Sequence, residues 1–225
     1  MTMMDVRGVR KDFRRGRSSE LFTAVDTVDL RLTGGELTLI RGRSGSGKST
    51  LALMLGGMLQ PTSGTVSVEG EDLYALDDAA RSRLRNERIA MLPQGNVALR
   101  SLTVLENVLL PSVIHAAEAG EAVTSRAREL IEALGLSALA DSFPNELSGG
   151  ELRRMGLARA LVMGPDVVIA DEPTAGLDQA NAVAALTLLR ECADAGAAVC
   201  VVAHEDDALS FADLVLTMDG GVLGR

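Results

Sequence analysis

GRSGSGKS, Gly42 to Ser49, is the stretch that decides how the rest of this 225-residue chain is read. It follows ELTLIR, Glu36 to Arg41, a short apolar run rich in β-formers. It opens a segment of helical character from about Lys48 to Leu59. Strand, glycine loop and helix in that order make a P-loop. The glycines let backbone N–H groups turn inward around phosphate oxygens, and the helix dipole adds positive potential at the same place. The phosphate-holding set expected here is Gly42, Arg43, Ser44, Gly45, Ser46, Gly47, Lys48, Ser49 and Thr50. Lys48 can reach the β- and γ-phosphates, and the Ser49 hydroxyl can ligate Mg²⁺. The motif alone points to a nucleoside triphosphate and names neither base nor reaction.

A P-loop enzyme needs a carboxylate at the end of a neighbouring strand. DVVIADE supplies Asp171, followed at once by Glu172. Successive strand side chains point to opposite sides. Asp171 is therefore expected to face the metal and Glu172 the attacking water, as in a hydrolase carrying its own general base. No N-K-x-D stretch for reading guanine is present.

The remaining pattern suits an α/β sheet. IAML, Ile89 to Leu92, DVVIADE and AAVCVVAH are continuous apolar runs, expected of strands buried on both faces of a parallel sheet. TVSVEG is an alternating strand, and LVLTMDGGVL reads as a strand, a tight turn and a stub. From about Thr103 to Leu139 the period is helical, with Pro111 expected to kink or end the first helix. Asp178 is the expected N-cap of the helix that closes before Gly196. Aromatic residues make up only 2% of the chain, so the core must be aliphatic and stacking surfaces for single strands are scarce. The net charge of −9 repels nucleic acid as a bulk partner; Arg14, Arg15 and Arg17 form a local exception, expected in a solvated loop between two strands. Cys192 and Cys200 lack metal-ligand spacing and suit reduced thiols in the cytoplasm. No apolar run reaches the ~18 residues of a membrane span, and MTMMDVRGVR carries charges where a signal peptide needs an apolar region.

A second glycine pair lies in LSGGE, Leu147 to Glu151. Ser148 and Glu151 have the spacing of a capping box, opening a helix that runs to about Met163. On physics alone this is either a well-capped helix start or a second anion site. The P-loop, LSGGE and ADEPTAGLD, in that order and over nearly the whole chain, resemble the ATPase subunit of an ABC system. That resemblance implies a P-loop NTPase (RecA-like) core with an antiparallel β subdomain and an inserted α-helical subdomain. The implied boundaries are one domain over 1–225, with the core and β subdomain at 1–94 and 162–225 and the helical signature subdomain at 95–161.

The resemblance also implies ATP and Mg²⁺ as cofactors and a homodimer, or a paired ABC ATPase, in the ATP-bound state. The signature of each subunit then covers the ATP held by the other's P-loop. By the same resemblance Ser148, Gly149 and Gly150 face the partner's γ-phosphate, and Asp178 crosses the dimer seam. Gln94 senses Mg²⁺ and water, and His204 contacts the γ-phosphate. Glu172, His204, Lys48 and Gln94 form the catalytic group; Ser49, Gln94 and Asp171 form the metal group. Phe13 falls where the family places an aromatic under adenine, with Phe22 as the alternative; His115 has no counterpart.

SLTVLENVLLP and ADEPT resemble the lipoprotein-release and macrolide-export ATPases, though Ala175–Gly176 departs from their usual pair. The implied function is to power an integral membrane permease from the cytoplasm, peripheral to the inner face of the cell membrane. The alternative is a soluble ABC protein acting on nucleic acid or ribosomes.

Overall fold

The computed structural model describes residues 1–14, 21–95, 97–114, 120–204 and 206–224. Arg15, Arg17 and His115 fall outside them. In chain order the elements are β1 (Thr2–Arg14), β2 (Leu21–Thr33), β3 (Leu37–Arg41), α1 (Lys48–Leu55), β4 (Ser63–Val68) and β5 (Glu71–Asp72). Then come α2 (Asp78–Arg88), β6 (Ile89–Leu92), α3 (Val104–Val113), α4 (Glu121–Ala133), α5 (Gly149–Leu161) and β7 (Val167–Asp171). The chain closes with α6 (Gln179–Asp194), β8 (Ala198–Ala203), β9 (Leu214–Asp219) and β10 (Val222–Gly224).

Two sheets result. One is antiparallel, in the order β2-β1-β4-β5. The other runs β10-β9-β3-β8-β7-β6 and is parallel except for β10, which pairs antiparallel with β9. The inner strands β7 and β8 are buried on both faces, and β3 and β6 nearly so, as their apolar runs predict. Val168, Ala170, Val199 and Val201 enter the core shared with α3, α4, α5 and α6. Val167, Ile169, Cys200 and Val202 alternate with them into the core shared with α1 and the antiparallel sheet. The period of two is therefore present but hidden, because both faces are apolar. β6 and β7 are hydrogen-bonded neighbours in space, yet α3, α4 and α5 lie between them in sequence. The helical unit is thus inserted into the sheet.

Local differences from expectation have identifiable causes. α1 stops at Leu55, earlier than its apolar pattern suggests, because Gly56 caps it and Gly57 is left-handed at φ 69°. Pro111 neither ends nor breaks α3 where it stands; the helix closes just beyond it, at Val113. The helix α2 is unannounced by hydrophobic period: none of its residues is buried, and its start depends on Asp77 accepting from the Ala80 N–H at 2.8 Å.

Candidate functional site

β3 delivers the chain into the glycine loop, and α1 carries it away. Gly47 is left-handed at φ 103°, and a Cβ there would lie 2.1 Å from the Ala24 carbonyl oxygen, so no other residue fits. The Ser46 N–H donates to the Arg43 carbonyl at 3.2 Å, and the Ser46 carbonyl accepts from the Gly221 N–H at 3.0 Å. Lys48 is buried; its ammonium donates to the carbonyls of Gly42 at 2.6 Å and Arg43 at 3.0 Å. α1 begins at Gly47 without a side-chain cap, so its leading N–H groups receive no help from a side chain. Ser44, Gly45, Gly47, Lys48, Ser49 and Thr50 line a cleft of about 360 Å³. Gly42, Arg43 and Ser46 form the back of the loop and do not line it.

The opposite wall comes from three adjacent parallel strands. β6 leads through Pro93 to Gln94, β7 leads to Glu172, and β8 leads to His204; all three side chains line the same cleft. The carboxyl ends of parallel strands are where α/β sheets hold ligands. Asp171, the last residue of β7, is buried beneath the cleft, and its Oδ1 has no hydrogen-bond partner. Burial pushes the Asp171 carboxyl above its ordinary range, while the Ser49 hydroxyl and the charges of Arg153 and Lys48 pull the other way. A buried carboxylate oxygen left open beside a serine hydroxyl fits a hard divalent cation. Among the described residues no group of three or more His, Cys, Asp or Glu gathers as a metal cage.

Glu172 reaches the cleft by a route the strand period does not give. It lies just past β7 at φ 53°, a left-handed backbone on a non-glycine residue. Such a residue costs about 1–3 kcal/mol and persists only where its surroundings over-determine it. Here its N–H donates to the Val202 carbonyl at 2.8 Å, and its carbonyl accepts from Arg153 at 2.6 Å. Glu172 thus lines the cleft, while Asp171 lies buried beside Ser49 without lining it.

Arg153 is the residue that sequence reasoning missed. Only 2% of it is exposed, and its guanidinium donates to the main-chain carbonyls of Pro93, Gln94, Asp171 and Glu172. Burial pulls the guanidinium below its ordinary value, against the upward pull of the Asp171 and Glu172 carboxyls. The available signal was its spacing: Arg153, Leu157 and Leu161 recur every four residues, which puts the arginine on the apolar face of α5.

Phe13 and Phe22 are directly opposite in the β1–β2 pair and share a face. Phe22 lines the cleft and Phe13 does not; Lys11 lies over the Phe13 ring, 5.4 Å from its centre. Ser148, Gly149, Gly150 and Asp178 are also absent from the cleft. They form a second, separate group. Ser148 completes its capping box: its hydroxyl accepts from the Glu151 N–H at 3.3 Å, and its own N–H donates to the Glu151 carboxylate at 2.7 Å. Gly150 sits against the loop before α6, where an added Cβ would meet the Leu177 side chain at 3.4 Å. Asp178 caps α6, accepting from the Asn181 N–H at 2.9 Å, which holds its carboxyl below the usual range.

The family described as ABC transporter matches residues 25–175, spanning the glycine loop, the LSGGE stretch and the acidic pair. The chain belongs to the ABC transporter family. It is an ATP-binding, ATP-hydrolysing subunit of that family. It is 37% identical over 222 residues to a lipoprotein-releasing system ATP-binding protein LolD of Caulobacter vibrioides, covering 98% of this chain and 94% of that protein. It is 38% identical over 220 residues to the macrolide export ATP-binding/permease protein MacB of Rhodopseudomonas palustris, covering 98% of this chain but only 33% of that larger protein. A solved dimeric structure of the ATP-binding cassette MJ0796, in a post-hydrolysis state with ADP and Pi, superimposes with a TM-score of 0.92 at 32% identity. That alignment covers 99% of this chain and 97% of the cassette. Among the described residues no helix is long and apolar enough to cross a membrane.

Proposed function

We propose that two copies of this chain close head to tail on two Mg-ATP molecules and drive a membrane permease of the lipoprotein-release or macrolide-export type. The single observation that carries the reading is the split between the two groups of residues. One chain gathers Lys48, Ser49, Gln94, Glu172 and His204 at a cleft, while its Ser148–Gly150 start of α5 lies away from that cleft. The signature is therefore available to a second chain's nucleotide. The relatives named as lipoprotein-release and macrolide-export components, and the dimeric assembly of MJ0796, support the same arrangement.

The roles then follow from chemistry. Phe22 stacks on adenine. The loop 42–47 and the start of α1 hold the phosphates, and Lys48 turns its ammonium from loop carbonyls to phosphate oxygens. Ser49, Asp171 and Gln94 would hold Mg²⁺, which when bound neutralises charge on the β- and γ-phosphates. Glu172 takes a proton from the attacking water, and His204 contacts the γ-phosphate. Asp178 and Ser148–Gly150 meet the partner's nucleotide. The helical unit, 95–161, moves with closure.

The permease fits a groove of about 300 Å³ between that unit and the sheet, lined by Met91, Val97, Leu99, Leu110, Ile114 and Met163. Val97, Leu99 and Ile114 are large, apolar and exposed there. A mostly apolar lining, with Arg85, Asn86 and Arg159 also in it, suits a short helix from a membrane partner. The complex would sit at the inner face of the cell membrane.

The test is Glu172→Gln. It keeps the backbone bonds to Val202 and Arg153 and removes only the proton acceptor. Hydrolysis should slow by about 10² to 10⁴, and the variant should run as an ATP-dependent dimer on a sizing column. A variant that stays monomeric at saturating Mg-ATP, both alone and with its permease, refutes the scheme.

A further inference from the structure

We propose that Arg153 is a positioning residue through which contact at the α5 N-terminus is felt at Glu172. The inference rests on the reading above, in which a second copy's nucleotide meets that N-terminus. Arg153 lies on the same rigid helix as Ser148, ~7.5 Å along the axis at the usual rise per residue. Its planar guanidinium spans two loops at once. Nη1 donates to the carbonyls of Pro93 and, at 3.2 Å, Gln94; Nη2 donates to those of Asp171 and, at 2.6 Å, Glu172. Those are the residues by which β6 and β7 deliver Gln94 and Glu172 to the cleft.

Every one of these acceptors is main chain. Arg153 therefore sets where the two loops run, and leaves the cleft-facing side chains free for chemistry. The left-handed backbone at Glu172 is held by its N–H to Val202 at 2.8 Å, by the Ala175 N–H on its carbonyl at 3.1 Å, and by Arg153, which alone of the three ties it to α5 and to the loop after β6. A shift or rotation of α5 on engaging the partner's nucleotide would be passed by a stiff fork to both loops together. A lysine could supply the charge but not the fork, because its ammonium is a point charge on a flexible stem.

The experiment compares wild type with Arg153→Met, Arg153→Lys and Arg153→Gln in the full chain. The measurements are kcat and Hill coefficient for Mg-ATP, affinity for a fluorescent ATP analogue, and thermal midpoint. For Arg153→Met, analogue affinity should stay within threefold, kcat should fall at least tenfold, and the Hill coefficient should drop toward one. Arg153→Lys should remain nearly as slow. Arg153→Gln, whose planar amide still offers two N–H donors, should recover several-fold over Arg153→Met. If Arg153→Met does not fold, the contrast between Gln and Lys carries the test.

A kcat within twofold of wild type overturns the proposal. So does a fall in kcat with the Hill coefficient unchanged, or a fall matched by equal losses of analogue affinity and thermal midpoint. Failure of the underlying reading looks different. The wild type would then show no cooperative hydrolysis and Glu172→Gln no dimer, which would remove this inference along with it.

Discussion

Replacing Asn107 by leucine tests whether the groove beside Gln94 is held by one buried amide. Asn107 is fully buried in α3, in the stretch SLTVLENV. Its Oδ1 accepts from the Leu99 N–H at 2.9 Å, and its Nδ2 faces the carbonyls of Leu99, Leu102 and Thr103 at 2.9 to 3.0 Å. An amide has two N–H donors, so those three carbonyls share two protons, and the side chain makes about three full bonds. Two carbonyls keep other partners after the change: Leu99 accepts from the Leu102 N–H, and Thr103 from the Asn107 N–H. The Leu99 N–H and the Leu102 carbonyl have the most to lose. A buried group left unpaired costs about 1–3 kcal/mol. Leu99 is 46% exposed, so water relieves part of that cost. The lower end for each group sums to ~2 kcal/mol, which in a chain of this size lowers the thermal midpoint by ~4–8 °C. Calorimetry reads the midpoint, and hydrogen exchange reads the Leu99 amide, whose protection should fall. The wall formed by Val97 and Leu99 loosens with it, so permease-stimulated hydrolysis should fall more than basal hydrolysis. A midpoint shift below about 1 °C with unchanged Leu99 protection would refute the bracing argument.

Two further outcomes follow from the structure. Phe22→Ala should weaken nucleotide binding by ~5- to 150-fold, the range that stacking a base on an aromatic ring is worth, while Phe13→Ala should stay within about twofold; fluorescent-nucleotide titration separates them, and the reverse ranking would move the adenine to Phe13. Asp213 accepts from the Leu37 N–H and from Arg190, which together hold its carboxyl below the ordinary range. A depressed carboxyl stabilises above its unfolded pKa and loses that contribution as pH falls through the folded one. The difference in thermal midpoint between wild type and Asp213→Asn should thus be full above about pH 4 and close below it; a gap independent of pH would show that the charge contributes nothing.

Much of this was readable because local chemistry and global burial agree. The glycine loop has few alternatives once Gly47 must be left-handed and flush against Ala24. The stretches IAML, VVIA within DVVIADE and AAVCVVA within AAVCVVAH are apolar at every position because both faces of their sheet are covered. The box at Ser148 and Glu151 is a contact within one turn of helix, so sequence spacing suffices to find it. What escaped depends on long-range geometry or leaves no period. α2 buries no residue fully and packs only Leu84 partly against the core, too little apolar face to give a hydrophobic rhythm. Which of Phe13 and Phe22 lines the cleft depends on how the hairpin lies against the glycine loop, which their sequence separation does not encode. Glu172 turns into the cleft through a positive φ that strand alternation excludes. Arg153 reads as one polar residue among several in ELRRMGLARA, and only the fold shows four carbonyls converging on it.

The two glycine-opened helices differ in a way that orders the proposed cycle. α1 begins at Gly47 with no side-chain cap, so its dipole and unpaired N–H groups attract phosphate directly. α5 begins at Ser148 with its cap already made, and the cap's partner is the Glu151 carboxylate, held below its usual range first by the Ser148 hydroxyl and then by the Ser148 N–H. That negative charge lies within the first turn of α5, close to the N–H groups a phosphate would have to reach. In the proposed cycle a bare triphosphate would thus be drawn to α1 and discouraged at α5. In the proposed assembly it would become acceptable to α5 only after Lys48 and a cation had offset its charge inside the cleft of the chain that bound it first. Nucleotide would therefore fill each P-loop before two chains meet, and the signature of one chain would close on a site the other has already neutralised.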